Sequence, residues 1–264
     1  MLLAEVVRLL DGWYDPAWAE DWDAVGLVCG DPAQPVRRVL LAVDPAPAVV
    51  AEALDWHADL LVCHHPLLLT AVHGVAATTP KGRLVHRLVT GGTALLTAHT
   101  NADVPADGVN EALARAVGIT AADVLGGEPG TGRGHGRIGP LAEPTTLRGF
   151  AERVRDALPA TAHGVRVSGD PDRPVRTVAV GSGSGDHLLD TVLGTDADVY
   201  LTSDLRHHRA AEFREHEGPA LVDVAHWAAE WTWLPVLEAK LRAAGDGLEP
   251  RVSTLVTDPW TFRP

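Results

Sequence analysis

Short apolar runs alternate with amphipathic stretches along most of the chain, and this alternation restricts the fold more than any other feature. Residues 38–43, 59–63 and 93–98 are rich in aliphatic side chains, which is typical of strands buried on both faces. Helical patterns at residues 47–57 and 81–89 separate these runs. Strand–helix–strand order joins parallel strands, so the sequence predicts an α/β protein with mixed, largely parallel sheets.

The rest of the chain continues this rhythm. Further helices are predicted at residues 1–14, from 109 onward, and at 147–158, 186–193, 207–216 and 227–243. Further strands are predicted at 165–168, 176–180, 198–202, 221–224 and, as an edge strand, 251–257. A glycine-rich stretch at 121–140 is interpreted as a loop or linker at a domain boundary. We therefore predict one lobe from residues 1–125, with 231–264 packing back on it, and a second lobe from residues 126–230.

The two halves of the chain are similar to each other. The same residue types recur 139 positions apart, as Val39, Ala58 and Asp59 and then as Val178, Ala197 and Asp198. Both segments have the order strand, turn, helix and an Ala-Asp pair that opens a second strand. This pattern indicates a diverged internal duplication, although buried parallel strands also resemble one another by composition alone. Either way, polar residues follow the strand ends, where open α/β sheets bind ligands.

Charge and cysteine content exclude several classes of protein. The chain has 35 acidic and 22 basic residues, a formal net charge of −13, so a phosphate backbone is repelled and no nucleic-acid partner is expected. Cys29 and Cys63 have no paired spacing, which argues against a disulfide framework. No apolar run approaches the roughly 20 residues that span a bilayer, and the first 14 residues form an amphipathic pattern rather than a signal peptide. A cytoplasmic protein without a membrane partner is expected.

The dipeptide His64-His65 is the first candidate for metal binding. It follows the predicted strand at 59–63 and precedes Pro66, where the backbone leaves the sheet. Neighbouring side chains in a strand point to opposite faces, so two adjacent imidazoles serve one ion poorly. At a strand end they can diverge toward two separate ions. The alternative is a pair of surface histidines in a turn.

Two further segments carry an imidazole and a carboxylate four residues apart. His99 and Asp103 follow the predicted strand at 93–98, in what we interpret as a loop. His226 and Glu230 follow the strand at 221–224, and helical spacing places them on one face. The alternatives are a turn or helix cap for Asp103 and a solvated helix face for the second pair.

A fourth segment is interpreted as lining for the site rather than as a source of ligands. It contains Asp204, His207 and His208, directly after the predicted strand at 198–202. Carboxylates orient the imidazoles that bind metal, so Asp204 or Asp223 is expected to act without touching an ion.

Four sequence blocks together resemble one family. They are WDAVGLVCGD at 22–31, LLVCHHPLLL at 60–69, AHTNADVPADGVNEALA at 98–114, and the late pair YLTSDLRHH and DVAHWAAEW. In order and spacing they are similar to the NIF-three-like family of dinuclear metal-centre hexameric proteins, whose members are also called GTP cyclohydrolase 1 type 2 homologues. The blocks extend over nearly the whole chain.

The resemblance implies a fold, an assembly and a set of ligands. The fold is NIF-three-like, with the metal site between the two lobes, and the assembly is a homohexamer. His64 and His65 are implied to bind different ions, Asp103 the first ion and His226 the second. Glu230 is implied to bridge them. Two divalent ions per subunit are therefore expected, and this donor set suits Zn, Fe, Mn, Co or Ni.

The function expected from such a site is metal-dependent hydrolysis. Two bridged ions lower the pKa of a shared water, and the family resemblance implies attack of metal-bound hydroxide on a nucleotide ring such as that of GTP. His99 and His207 are the candidate proton shuttles, and a nucleotide or another small molecule is the expected substrate. The alternative is a non-enzymatic hexamer that binds or delivers metal or acts as a regulator.

Overall fold

A computed structural model of the protein describes residues 1–127, 130–245 and 247–264 and confirms the α/β class. The strands, in chain order, are β1 Gly26–Cys29, β2 Arg38–Ala42, β3 Leu60–Cys63, β4 Ala94–Thr97, β5 Asp123–Leu125, β6 Gly136–Thr146, β7 Val165–Ser168, β8 Pro174–Ser184, β9 Val199–Ser203, β10 Ala220–Val224 and β11 Glu249–Val252.

The helices lie between these strands, singly or in pairs, except that the first precedes β1. They are α1 Leu3–Trp13, α2 Pro47–Asp55, α3 Pro80–Thr90, α4 Thr100–Asp103, α5 Val109–Ala116, α6 Leu147–Ala157, α7 Leu189–Leu193, α8 His207–Glu215, α9 His226–Trp231 and α10 Trp233–Ala243. Within the described residues, no helix combines the length and the apolar character that crossing a bilayer requires.

The chain folds into two compact units. The first unit comprises Met1–Ala102 and Leu234–Thr257, and the second comprises Asp103–Trp233 and Asp258–Pro264. These bounds differ from the predicted lobes of residues 1–125 with 231–264 and of residues 126–230. The difference arises because α5 packs against β6 and β8, which brings the residues after 102 into the second unit.

The first unit is built on a five-stranded sheet in the order β1-β4-β3-β2-β11. Strands β4, β3, β2 and β11 are parallel, and β1 is antiparallel to β4. The predicted edge strand at 251–257 corresponds to β11, which lies at the edge but begins and ends earlier. Every residue of β3 and β4 is buried, as expected for continuous apolar runs covered on both faces.

The second unit contains a six-stranded sheet in the order β5-β6-β8-β9-β10-β7. Its central strands β8, β9 and β10 are parallel, whereas β5, β6 and β7 pair antiparallel with their neighbours. The sheets are therefore mixed, and the prediction of largely parallel pairing describes the first sheet better than the second. Phe213, Tyr200 and Leu221 belong to the core that packs on this sheet.

The two units repeat one local arrangement at the positions expected from the internal similarity. Val39 pairs with Leu60 in the first sheet, and Val178 pairs with Val199 in the second. Asp59 Oδ2 accepts hydrogen bonds of 2.8 Å from two backbone N–H groups at the start of β2. In the second unit, Asp198 Oδ2 accepts equivalent hydrogen bonds of 2.7 and 2.9 Å from two backbone N–H groups near the start of β8. The common origin of the two halves stays a prediction.

The prediction of one long helix at residues 227–243 is wrong, because two helices occupy this segment. Helix α9 ends at Trp231 and α10 begins at Trp233. Pro235 lies in the first turn of α10, where it lacks the N–H that would bond to the carbonyl of Trp231. The helix therefore ends and restarts, which leaves His226 and Glu230 on a short element of six residues.

Strands partly replace the predicted glycine-rich linker at 121–140. Strand β5 and the beginning of β6 lie within it, while residues 128 and 129 lie outside the described residues. The predicted helix at 186–193 is a 3-10 turn, Gly185–Leu188, followed by the short α7. Strand β8 extends beyond the strand predicted at 176–180 as far as Ser184, with a register shift between Val180 and Ser184.

Candidate metal centre

His64 and His65 extend the end of β3 in the first unit. Their backbone N–H groups donate to the carbonyls of Ala42 and Val43, at 3.1 and 2.8 Å, and so continue the parallel pairing with β2. Pro66 follows and offers no N–H. His64 is fully buried and His65 is partly exposed. The two imidazoles therefore leave the carboxyl end of a central strand, as the sequence predicts.

His99 joins these two residues from the segment that follows the neighbouring strand β4. Its ring centroid lies 5.1 Å from that of His64 and 5.5 Å from that of His65. One potential ligand atom from each of the three side chains lies within 4.8 Å of the other two. We call this set the three-histidine cluster. Three converging imidazoles are a donor set that divalent first-row metals bind well.

An acceptor holds the Nδ1 atom of each imidazole in the cluster. The pairs are His64 with the Ala98 carbonyl at 2.9 Å, His65 with Asp44 Oδ1 at 2.7 Å, and His99 with Asp23 Oδ1 at 2.8 Å. Because carbonyl and carboxylate oxygens only accept, the proton of each neutral imidazole lies on Nδ1. The other nitrogen, Nε2, then keeps its lone pair, as metal binding requires.

Asp23 is bound on both oxygens. Oδ1 accepts from His99, and Oδ2 accepts from the Thr100 backbone N–H at 3.1 Å and from its hydroxyl at 2.5 Å. Burial alone raises the pKa of this carboxyl, but the hydrogen bonds from His99 and Thr100 outweigh it and hold the pKa well below its usual range. Asp23 is therefore an anion that fixes both the ring of His99 and the start of α4.

In the second unit, His226 and Glu230 are one turn apart on α9. His226 Nε2 lies 2.8 Å from Glu230 Oε1, and its Nδ1 lies 2.7 Å from Asp204 Oδ2. Burial lowers the pKa of His226, but the two carboxylates raise it by more, to about 11. Glu230 is 3% exposed, so its charge is poorly solvated. His226 and Glu230 could hold a divalent cation, which would then supply the positive charge that the imidazolium provides in its absence.

Gly183 lies against this pair. Its φ of +66° falls in the left-handed region, and a Cβ there would lie 3.0 Å from Glu230 Oε1 and 3.4 Å from His226 Nε2. Thr202 Oγ1 donates to the Gly183 carbonyl at 3.3 Å and ties the segment to β9. The irregular end of β8 therefore leaves space next to the two candidate ligands that any other residue would fill.

Asp103 is the last residue of α4, so the loop predicted around it is instead a helical turn. The side-chain amide of Asn110 donates to the Asp103 carbonyl at 3.0 Å and accepts from the Ser182 N–H at 2.7 Å. Arg137, 2% exposed, donates to the Val104 carbonyl at 2.9 Å. These buried bonds fix the backbone at Asp103 to the segment that precedes Gly183.

Asp204 lies against the candidate ligand His226, whereas Asp223 binds His163 and Arg166, which are not candidate ligands, and His207 lies elsewhere. Asp204 contacts His226 directly, and Asp223 Oδ2 accepts from the Leu205 N–H at 2.9 Å. His207 is exposed at the start of α8, 5.2 Å from the ring of His208, and lines a cavity with Asp223. His99 is the candidate proton shuttle that lies among candidate ligands.

The sequence interpretation missed Asp23 and Asp44. Asp44 directly follows the apolar run at 38–43, so the tendency of ligand-binding residues to follow parallel strands offered a signal for it. Asp23 precedes β1, which is antiparallel and was not predicted, and it lies 76 residues from His99 in the chain. No local pattern connects the two.

The residues therefore fit divalent metal. Within the first unit, the Nδ1 atom of each of three clustered imidazoles faces an acceptor, which leaves Nε2 unprotonated in the neutral ring. Within the second, a buried carboxylate faces an imidazole. Nitrogen and carboxylate donors without thiolate favour Zn, Fe, Mn, Co or Ni. Together with the fold, these donors define a class of protein, a two-unit α/β protein with histidine–carboxylate groups that are able to hold metal.

Comparison with known proteins identifies the family within that class. The model of the Duf34/NIF3 (NGG1p interacting factor 3) family matches residues 1–259, and the chain belongs to this family. A relative from Streptomyces coelicolor, named GTP cyclohydrolase 1 type 2 homolog, is 49% identical over 98% of this chain and 93% of its own length.

Two further relatives support the assignment. A protein of the same name from Mycobacterium tuberculosis is 38% identical, with 98% of this chain and 97% of that protein covered. The crystal structure of Staphylococcus aureus protein SA1388 matches with a TM-score of 0.91 and 26% identity, over 100% of this chain and 99% of that one. The resemblance inferred from the four sequence blocks is thereby confirmed.

Proposed function

We propose that this protein binds divalent metal ions through His64 and His65 and through Asp103, His226 and Glu230. The observation that carries the proposal is the three-histidine cluster, in which each Nδ1 proton is held by an acceptor. In a chance group of histidines, there is no reason for every Nδ1 atom to face an acceptor. Zn, Fe, Mn, Co and Ni suit the donors, and two ions per subunit are proposed from the family resemblance.

We further propose that the bound metal serves hydrolysis of a nucleotide ring. Bound divalent ions activate water and polarise a substrate oxygen. The support for the substrate class is that relatives are named GTP cyclohydrolase 1 type 2 homologs. His99 is proposed as a proton carrier rather than as a third metal ligand, because Asp23 holds its Nδ1 atom and leaves Nε2 to take up a proton. His207 stays a second, weaker candidate for this role.

Glu230→Gln tests the metal assignment. The amide keeps the size of the side chain but loses the charge that faces His226. We expect wild type to hold two metal equivalents, measured by elemental analysis, and the variant to hold fewer and to lose nucleotide turnover. Glu212→Gln, an exposed position on α8, is the matched control and should keep both properties. Two retained equivalents in Glu230→Gln would contradict the bridging role.

The same measurement separates the enzyme from its alternative. If fully metallated wild type leaves GTP and related nucleotides unchanged, the hydrolase proposal fails. The non-enzymatic function, in which the protein binds or delivers metal or regulates a partner, would then stand. Loss of metal in Glu230→Gln would still support the ligand assignment, so the two proposals fail independently.

A homohexamer in the cytoplasm is proposed as the working form. The support for assembly is the family resemblance together with large apolar side chains at the surface, among them Trp22, Trp260 and Phe262. Cys29 and Cys63 are free thiols, as expected in a reducing compartment. Analytical ultracentrifugation of the purified protein tests the assembly, and a monomer at micromolar concentration would contradict it.

A further inference from the structure

The second unit contains a cavity that the proposed metal chemistry does not use. It has a volume of about 480 Å³ and lies between α6, the edge strand β7 and the residues at the junction of β10 and α9. Its apolar lining includes Leu147, Ala151, Leu158, Val165, Val224 and Ala228. Val167 on β7 also faces it and is 45% exposed, so apolar surface is left uncovered here. The size falls within the range of small-molecule sites.

Cationic side chains surround this apolar surface. Among the described residues that line the cavity, Arg148, Arg155 and Arg263 are cationic and Glu152 is acidic. Such a local excess of positive charge contrasts with the net charge of −13 of the whole chain. Charge of one sign around an apolar cavity selects for ligands of the opposite sign.

Two of the three guanidinium groups are available to a ligand. Arg155 already forms an ion pair with Asp156 at 2.7 Å. Among the residues that the structure describes, the guanidinium groups of Arg148 and Arg263 form no ion pair or hydrogen bond. Arg263 lies across the backbone at Gly164, where its Nη1 atom would be 3.3 Å from an added Cβ. A guanidinium binds carboxylate and phosphate oxygens in a bidentate manner.

The arrangement of the lining also restricts the shape of the ligand. Arg148 and Arg155 are seven residues apart on α6, about 10 Å along the helix axis, and Ala151 lies between them on the same face. The apolar lining is therefore flanked by cations rather than interrupted by them. A ligand with an apolar body and one anionic end satisfies both parts, whereas a neutral ligand leaves the guanidinium groups unused.

We propose that this cavity is a binding site for a small amphipathic anion, with an apolar chain or ring and one carboxylate or phosphate group. The apolar body covers Val167 and the small side chains of α6 and α9, and the anionic group binds Arg148 or Arg263. A second copy of the chain is the competing occupant of this surface, and the experiment distinguishes it from a ligand.

Fluorescence of anilinonaphthalene sulfonate, itself an aromatic anion, provides the probe on the full-length protein. We expect octanoate and octyl phosphate to displace it at concentrations at least tenfold lower than 1-octanol, which has the same chain without the charge. The more potent of the two identifies the anionic group. Arg148→Gln with Arg263→Gln should remove this preference, and Ala151→Trp, which fills the cavity, should abolish probe binding. Arg176→Gln, which removes one exposed arginine on β8, is the control for loss of positive charge outside the cavity and should change nothing.

Several results would overturn the proposal. Equal displacement by octanol would show a plain apolar surface, and unchanged probe binding by Ala151→Trp would place the probe elsewhere. Binding that appears only after dilution dissociates the assembly would show that another copy of the chain covers the cavity. Circular dichroism of each variant verifies that the protein is folded.

Discussion

At the scale of single residues, the candidate metal site depends on the acceptors that orient its imidazoles. Asp44 holds His65 and also accepts from the hydroxyl of Thr257, while Asp23 holds His99 and the start of α4. A wrong tautomer at either histidine would direct an N–H toward the ion instead of a lone pair. The carboxylates therefore matter as much as the ligands that they orient.

Asp23→Asn tests this orientation through stability and its pH dependence. We expect a loss of about 1–3 kcal/mol in the free energy of unfolding at pH 7, because bonds to a charged, buried acceptor are replaced. The folded-state pKa of Asp23 lies below its unfolded value of about 3.9, so the folded protein binds fewer protons than the unfolded chain. The stabilisation is present above about pH 4 and declines as the pH falls toward the folded pKa.

Urea unfolding of wild type and Asp23→Asn between pH 3 and 7 measures this difference. The difference in the free energy of unfolding between the two proteins should become smaller below pH 4. Asp21→Asn, an exposed neighbour, is the control and should follow wild type throughout. A difference in the free energy of unfolding that is as large at pH 3 as at pH 7 would contradict the role assigned to the Asp23 carboxylate.

At the scale of elements, the end of β8 is the part of the fold that serves the site most directly. A regular strand followed by a helix would place a side chain against His226 and Glu230. The register shift between Val180 and Ser184 instead places Gly183 there, with its backbone in the left-handed region. The irregular end of β8 therefore keeps side chains away from His226 and Glu230, and the apolar pattern of the strand does not predict this.

Gly183→Ala should weaken metal binding about tenfold, because its Cβ would lie 3.0 Å from Glu230 Oε1 and displace the carboxylate. It should also cost about 1–2 kcal/mol of stability for the left-handed backbone. Gly132→Ala is the matched control, since its φ is +69° and no atom lies within 4 Å of an added Cβ. It should show the stability cost alone. Competition with a chelating dye measures the affinity, and equal affinities in the two variants would refute the steric explanation.

At the scale of the whole molecule, the chain uses one strand arrangement twice. In each unit an aspartate at the start of one strand binds two backbone N–H groups of the adjacent parallel strand. In each unit a histidine follows the third strand of the repeat, His99 after β4 and His226 after β10, and both have Nδ1 bound to an aspartate. Similar strands have therefore placed similar chemistry at their carboxyl ends.

Asp59→Ala and Asp198→Ala test whether the two units rely equally on this arrangement. Each removes two charge-assisted bonds to backbone N–H groups, so each should cost about 1.5–3 kcal/mol. We expect hydrogen exchange, followed by mass spectrometry, to increase first around β2 and β3 in the former variant and around β8 and β9 in the latter. Asp55→Ala, at an exposed helix end, should leave both regions unchanged. The same exchange pattern in both variants would argue against separate roles.

The sequence by itself determined the α/β class, most of the strands and the placement of His64 and His65 at a strand end. It also determined the spacing that puts His226 and Glu230 on one helical face. These are local properties, because the periodicity of apolar side chains depends only on residues that are close together in the chain. The tertiary structure decided which carboxylate orients each imidazole, the space at Gly183 and the pairing of β1. Those features depend on which segments become neighbours in space, as for Asp23 and His99, 76 residues apart.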